Sequence, residues 1–469
     1  MGNILLKFFS FLLIPLYTGY LSPVQYGEIN LALGFSNVVS CLIMCGLQTG
    51  VMRFYTDCKG SKQEVAEMFG SAITFVTIVS VLLSGLLVIT HAIWIDWVFS
   101  SIPFIPIVLL AILISAVVAI YTVYQEFLKG SHQAKKSVIL SYVFFFLLFG
   151  CNLLTIIVLK WGAKGVLLST VVANLIMICY MAIDLKWRGM LYVGIKKVLL
   201  KSMLRYSMPL VPHALSYNVS NLFTRVVIND KVNTFTLGLY SLASQFGGIA
   251  DIVSNSVQSA FQPWFYEKMR QSEDNHRIAS IEIRRLTINL LWLIGFIYLM
   301  IGTWAQEAID IMSQDSYHSS WQYVPYLVMA VAIKSPLYFY QNVYYYHKDM
   351  TRYIFMFTLA GCLSSMLFVW LLVPEWGIYG AIVADIVGVV VRVSCTLLHG
   401  KKIISHTYSI GQLLMFTIAT IAWLGVTVLP SYTGWLSGVS NYIYKTLCIL
   451  IYISSFMIYH RRGVSMNQK

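Results

Sequence analysis

A chain of 469 residues that is 58% hydrophobic and only 11% charged, with a mean hydropathy of +0.74, is too apolar for a soluble domain and reads as a membrane protein. Its formal net charge of +13 calls for no nucleic acid, because the cations sit in short gaps between apolar stretches rather than on one surface. Eight cysteines show no CxxC or metal-ligand spacing, and Cys41 and Cys45, one helical turn apart, read as small packing residues rather than a redox pair.

About fourteen apolar stretches follow one another, each near the roughly 20 residues that one helical crossing of a hydrocarbon core needs. The first group is 4–21, 29–49, 69–90, 104–124, 138–159, 165–185 and 208–229. The second is 236–262, 285–303, 322–346, 353–373, 377–399, 411–429 and 440–459. Backbone groups find no water at that depth, so helices are expected and the fold class is an all-α polytopic membrane protein. The first stretch runs into Pro15 and Tyr17 without a small-residue cleavage site, unlike a signal peptide.

Lys and Arg fall in alternate gaps. One series carries Arg53, Lys59 and Lys62, then Lys129, Lys135 and Lys136, then Lys186 through Arg205, then Lys268 through Arg285, and ends with Lys348, Arg352, Lys401, Lys402, Arg461, Arg462 and Lys469. The other series holds only Lys160, Lys164 and Lys231 in short turns. By the positive-inside rule, both termini and the basic gaps lie in the cytoplasm. Trp94, Trp97, Trp304, Trp321, Trp376 and Trp435 then fall at outer edges and Trp187 and Trp264 at inner ones, as interfacial belts require. Membrane lipids, anionic headgroups included, are the expected surroundings.

The chain also repeats itself. Tyr26-Gly27-Glu28-Ile29-Asn30-Leu31-Ala32 aligns with Leu237-Gly238-Leu239-Tyr240-Ser241-Leu242-Ala243 at an offset of 211, which also sets Arg53-Phe54-Tyr55 opposite Trp264-Phe265-Tyr266. Trp161-Gly162-Ala163-Lys164-Gly165 matches Trp376-Gly377-Ile378-Tyr379-Gly380 at an offset of 215. The first motif follows the first helix of a six-helix group and the second separates the fifth from the sixth. Two parallel six-helix lobes are therefore expected, with two C-terminal helices outside the repeat. The boundaries are 1–185 for the N-terminal lobe, 186–207 for a basic cytoplasmic linker, 208–399 for the C-terminal lobe and 400–469 for the last two helices and tail. Within the linker, Leu191, Ile195, Val198 and Leu199 alternate with Lys196, Lys197 and Lys201 in the pattern of a short amphipathic helix.

These motifs carry a family resemblance. Pro15-Leu16-Tyr17-Thr18, Leu21-Ser22-Pro23-Val24-Gln25-Tyr26-Gly27, Gly46-Leu47, Arg53 and Phe54-Tyr55 appear in order, followed by Tyr206-Ser207-Met208-Pro209-Leu210-Val211-Pro212 and Leu237-Gly238-Leu239-Tyr240-Ser241. In that order they resemble the polysaccharide-transporter branch of the multidrug/oligosaccharidyl-lipid/polysaccharide exporter superfamily, the O-antigen flippases, over nearly the whole length. The resemblance implies movement of an undecaprenyl-pyrophosphate-linked oligosaccharide, a building block of O-antigen lipopolysaccharide or a similar surface polymer, across a bacterial cytoplasmic membrane. It implies no cofactor, and a polysaccharide polymerase and assembly proteins as partners. Two departures stand out. The first span is short and carries Lys7, which leaves open a start upstream of Met1 or a kinked first helix. Many relatives also carry an acidic residue before the arginine of the seventh helix, where this chain has Thr224-Arg225.

Charges inside apolar spans cost about 2.5–3.5 kcal/mol each on insertion scales and usually face a cavity or a partner. Arg225, in the span 208–229, is the first candidate for a diphosphate or sugar contact, against snorkelling or pairing with Asp230. Arg53 could greet the diphosphate on entry or act as a topological anchor, and Lys7 carries the same two readings. Asn218, Asn221 and His213 share a face suited to sugar hydroxyls or to bonding neighbouring helices. Lys334 and Asp385 are expected as a buried pair, structural or coupled to a proton or cation, with Asp251 as substitute partner. Tyr338, Phe339, Tyr340, Tyr344, Tyr345 and Tyr346 could stack on sugars or form an interfacial belt.

Enzyme chemistry is disfavoured. The longest outer gap, about 304–320, carries Glu307, Asp310 and Asp315 without metal-like pairing, and no P-loop, GxSxG or HExxH occurs. The expected function is flipping of a lipid-linked repeat unit by alternating access. A cation-coupled multidrug exporter of the same fold is the runner-up, disfavoured by the lack of an acidic residue in the first span. A polysaccharide polymerase comes third because the outer loops are short.

Overall fold

A computed structural model gives the architecture, describing residues 11, 13–58, 61–271, 276–346, 350–404, 408, 410–436 and 438–466. Among these the chain is mostly helical, without a strand, and by packing it divides into two compact units, residues 1–238 and 239–469. This is an all-α polytopic membrane protein.

Unit 1 comprises α1 (Leu13–Tyr20), α2 (Pro23–Met44), α3 (Leu47–Phe54), α4 (Lys62–Ile89), α5 (His91–Val98), α6 (Leu109–Gly130), α7 (Ala134–Asn152), α8 (Gly162–Trp187), α9 (Lys197–Ser207) and α10 (Val211–Lys231). The motif Ser22-Pro23-Val24-Gln25 is a helix start. The Ser22 hydroxyl accepts from the Gln25 N–H at 3.3 Å, the Gln25 side chain accepts from the Ser22 N–H at 3.2 Å, and Pro23 occupies the first helical position. The central helix is α6, which packs against α2, α3, α4 and α8. Two serines of α2 bind it: Ser36 donates to the Ala111 carbonyl at 2.7 Å and Ser40 to the Ser115 carbonyl at 2.9 Å. Small polar residues of this kind hold helices together where lipid supplies no hydrophobic drive.

The basic linker is fastened to the same unit. Lys196 N–H donates to the Ser71 hydroxyl at 2.9 Å and Gly194 N–H to Thr74 at 3.3 Å, while Lys196 pairs with Glu67 at 3.3 Å. An amphipathic helix, α9, does form in the linker, but not on the expected face: Leu191 and Ile195 precede it and are exposed, as is Val198, and α9 turns Leu200, Met203 and Ser207 inward while Lys201 and Arg205 stay exposed.

Unit 2 contains most of α11 (Thr234–Gln271), then α12 (His276–Thr303), α13 (Ala305–Met312), α14 (Val324–Tyr346), α15 (Thr351–Ile404), α16 (Ile410–Thr433) and α17 (Val439–Met466). Here α14 packs against α12, α15 and α16. The long α15 is two helices joined at Gly377, whose φ of 54° lies in the left-handed region, so the expected spans 353–373 and 377–399 are both present. Gly162, its counterpart in the repeat, has a φ of 58°. Only glycine takes that conformation without steric cost, which explains the shared Trp-Gly motif. The last two helices, α16 and α17, pack on α12, with Thr303 donating to Thr427 at 3.1 Å and the Trp423 indole to the Cys448 carbonyl at 3.1 Å.

The packing division falls after Gly238. Helix α10, assigned to the C-terminal lobe by the repeat, is thus packed within unit 1, where it lies along α2.

Nine helices among the described residues are long and apolar enough to cross a membrane on length and composition. Helices α10, α11 and α14 are not among them. These three carry Asn218, Asn221 and Arg225, then Asp251, then Lys334. Their lower hydropathy comes from the polar side chains that make them candidates for function.

Candidate functional site

In unit 1, Asn218, Asn221 and Arg225 form a stripe along α10 at helical spacing. The stripe runs antiparallel to α2. Arg225 is half-buried, and its Nη1 donates to the Asn30 carbonyl at 2.7 Å. The guanidinium crosses α2 at Gly34, where a Cβ would lie 3.0 Å from that nitrogen. Asn218 reaches the Cys41 thiol nearer the other end of α2. Asn221 is exposed and donates to the Tyr217 carbonyl at 3.0 Å. Asp230, the alternative partner considered for Arg225, pairs with Lys231 at 2.9 Å. Arg225 thus ties two helices together and presents a planar cation beside an exposed amide, an arrangement able to bind an anion or a polyol.

Arg53 ends α3 and pairs with Asp57 at 2.8 Å, with both side chains 51% exposed. Exposed pairs of this kind contribute little to stability. His213 is exposed on the first turn of α10. Lys7 lies outside the described residues.

In unit 2, Lys334 Nζ donates to Asp251 Oδ1 at 2.7 Å. Asp251 also accepts from the Tyr338 hydroxyl on the same oxygen and from Asn255 Nδ2 at 3.0 Å on the other. The lysine additionally lies over the Tyr338 ring, 5.2 Å from its centroid. The expected Lys334–Asp385 pair is therefore replaced by Lys334–Asp251. Both carboxylates stand at similar depth, and sequence does not show which one faces α14. Asp385 has no hydrogen bond or ion pair from another described side chain. It remains exposed, within electrostatic reach of both Lys334 and Asp251. Two carboxylates and one ammonium leave this cluster one negative charge in excess when all are ionised.

The tyrosine run divides by environment. Tyr338, Phe339, Tyr340 and Tyr344 are buried. Tyr344 donates to the Thr396 carbonyl at 2.9 Å and meets His399 Nδ1 at 3.1 Å, so it joins helices rather than an interfacial belt. Tyr345 is 39% exposed.

Sequence reasoning missed two charged networks. Asp184 at the end of α8 receives Lys136 at 2.5 Å, Arg188 at 3.1 Å and the Tyr124 hydroxyl at 2.7 Å. Lys445 on α17 is buried and pairs with Glu307 of α13 at 2.6 Å. Its position inside an apolar span was the available signal. No cluster of three metal-ligating side chains occurs among the described residues.

The all-helical fold, with nine helices among the described residues long and apolar enough to cross a membrane, is that of a multi-pass membrane protein. A family model described as "polysaccharide biosynthesis protein" matches residues 1–269, and the chain belongs to that family. No curated protein sequence matches significantly. Among solved structures, the fold is similar to that of a lipid II flippase, MurJ, in an inward closed conformation, at 12% identity and a TM-score of 0.71 over 99% of this chain and 98% of that one. It is also similar to an inward-facing multidrug resistance MATE family transporter of the MOP superfamily, at 15% identity and a TM-score of 0.59 over 85% and 95% of the two chains. A MATE transporter in complex with MaL6 aligns at 14% identity and a TM-score of 0.55, over 86% and 94%.

Proposed function

We propose that this protein flips an undecaprenyl-pyrophosphate-linked oligosaccharide, the repeat unit of O-antigen or a similar surface polysaccharide, across a bacterial cytoplasmic membrane. The observation that carries this reading is the polysaccharide biosynthesis family match on a polytopic transporter fold. The cargo's sugars and diphosphate cannot enter hydrocarbon, so a protein must shelter them while the lipid tail stays in the bilayer. Alternating access does this without a continuous pore, and neither ATP nor a bound cofactor is required of the chain. Arg225, with Asn218 and Asn221, is the proposed contact for the polar head, and Arg53 and Lys7 are proposed to meet it on entry. The Lys334–Asp251 pair with Asp385 is the proposed coupling element. The test is deletion and complementation of the gene in its host. Loss of the protein should halt surface-polysaccharide display while lipid-linked repeat units accumulate on the cytoplasmic leaflet. Normal display in the deletion strain would overturn the reading.

A second reading, cation-coupled drug export, draws on the MATE-like fold and the excess negative charge around Asp385. It predicts drug sensitivity in the deletion strain with polysaccharide display intact.

A further inference from the structure

Three cations are set into the expected spans of unit 2 beyond their ends: Lys334, Arg392 and Lys445. Lys334 has Asp251 and Lys445 has Glu307. Arg392, in the second half of α15, has no such carboxylate among the described residues, and its enclosed Nε has no hydrogen-bond partner. The base of this side chain is held firmly. Arg392 Cβ lies 3.1 Å from where a side chain on Gly361 would begin, and Gly361 and Gly388 each face the other's carbonyl across the two arms of α15. One tyrosine lies beside it. The half-exposed Tyr345 is within electrostatic reach of Arg392 and Tyr266. The Tyr266 ring lies 6.1 Å from that of Tyr346, and its hydroxyl accepts from Gln262 Nε2 at 2.6 Å.

A guanidinium in an apolar span needs an anion, and its planar fork matches the oxygens of a phosphate. The neighbouring Tyr345 adds a hydroxyl donor and an aromatic face. We propose that Arg392, beside Tyr345, binds the phosphate group of a lipid at the end of unit 2 that the positive-inside rule assigns to the cytoplasm. The lipid is either the diphosphate carrier of the proposed cargo, an assignment that rests on the flippase reading, or an anionic phospholipid of the inner leaflet.

The experiment measures binding of undecaprenyl diphosphate and, separately, phosphatidylglycerol to the purified full-length protein by native mass spectrometry. Wild type is compared with Arg392→Gln, Arg392→Lys and Tyr345→Phe, each checked for an unchanged melting temperature. Arg392→Gln should weaken binding of one lipid roughly ten- to a hundredfold, with Arg392→Lys intermediate because charge survives without the fork. A loss confined to undecaprenyl diphosphate assigns the site to cargo. A loss confined to phosphatidylglycerol assigns it to a bound phospholipid. Arg392-dependent phosphatidylglycerol binding in a wild type that takes no undecaprenyl diphosphate supports the phosphate site and counts against the flippase reading alone. If Arg392→Gln and Arg392→Lys bind both lipids as wild type does, the proposal is overturned. Should Arg392→Gln fail to fold, an Arg392→Lys variant with wild-type binding of both lipids, together with unchanged Tyr345→Phe, overturns it equally.

Discussion

Gly27 and Gly238, 211 positions apart and equivalent in the internal repeat, meet across the first turns of α2 and α11 inside unit 1. A Cβ on Gly27 would lie 3.1 Å from the Gly238 nitrogen, and one on Gly238 would overlap the Pro23 carbonyl. The glycines therefore supply space as well as turn chemistry. Gly27→Ala and Gly238→Ala should each destabilise by about 1–3 kcal/mol through overpacking. Gly248, with open space around its Cβ position, is the control, and Gly248→Ala should not lower stability. Melting of the detergent-solubilised variants checks this, and a Gly238→Ala protein melting at the wild-type temperature would refute the close packing.

Orientation is tested independently of function. Reporter fusions after Lys136, Lys201 and Arg285 should score as cytoplasmic, and fusions near Ser101, Gln314 and Ser437 as external. A reversed pattern at several sites would invert every statement about entry and exit.

The Lys334–Asp251 pair gives a double-variant prediction. Removing one partner leaves a charge without its counterion and should cost about 3–5 kcal/mol by analogy with soluble proteins. Lys334→Met and Asp251→Asn should each reduce abundance, and the double variant should regain it. Asp385→Asn should leave abundance near wild type, because Asp385 makes no direct ion pair. If transport is coupled to a cation or proton at this cluster, Asp385→Asn will lose the gradient dependence of uptake in reconstituted vesicles while remaining folded. Strictly additive losses for Lys334 and Asp251 would show that the pair does not interact.

The helices were legible because each crossing must present an apolar stretch of fixed length, and that requirement is written locally. The expected stretch from residue 29 misses the helix start that Ser22 and Pro23 make, whereas the break at Gly377 was legible, since it separates two expected spans. Partner choice was not. Lys334 had two carboxylates within reach of a guess, and only the packing of α11 against the Tyr338 face of α14 selects Asp251. Lys445 and Arg392 sat unremarked inside otherwise apolar spans, although an isolated cation there is itself a signal. What each one meets depends on contacts more than fifty residues away or on an anion that no protein sequence spells out. Arg225 was found because a charge inside an apolar span is a signal in itself, but its bond to the Asn30 carbonyl required knowing that α10 lies along α2.

That bond shapes the last prediction. Arg225 has two tasks in the proposed mechanism, holding α10 to α2 and contacting the cargo, and the two respond differently to substitution. Arg225→Ala removes both and should abolish or strongly reduce polysaccharide display. Arg225→Lys can still donate to the Asn30 carbonyl, but it lacks the fork that would grip a diphosphate at the same time. It should therefore keep the melting temperature near wild type and restore display only in part. Arg225→Gln retains a donor without the charge and separates the tasks further. Normal stability with poor display in this variant would place the cation on the cargo path. The measurements are membrane abundance, melting in detergent and surface-polysaccharide display for all three variants. If Arg225→Ala is as stable as wild type and displays polysaccharide fully, Arg225 serves neither purpose. If display falls only in proportion to abundance, the arginine is a helix tie and the cargo contact must be sought elsewhere on α10.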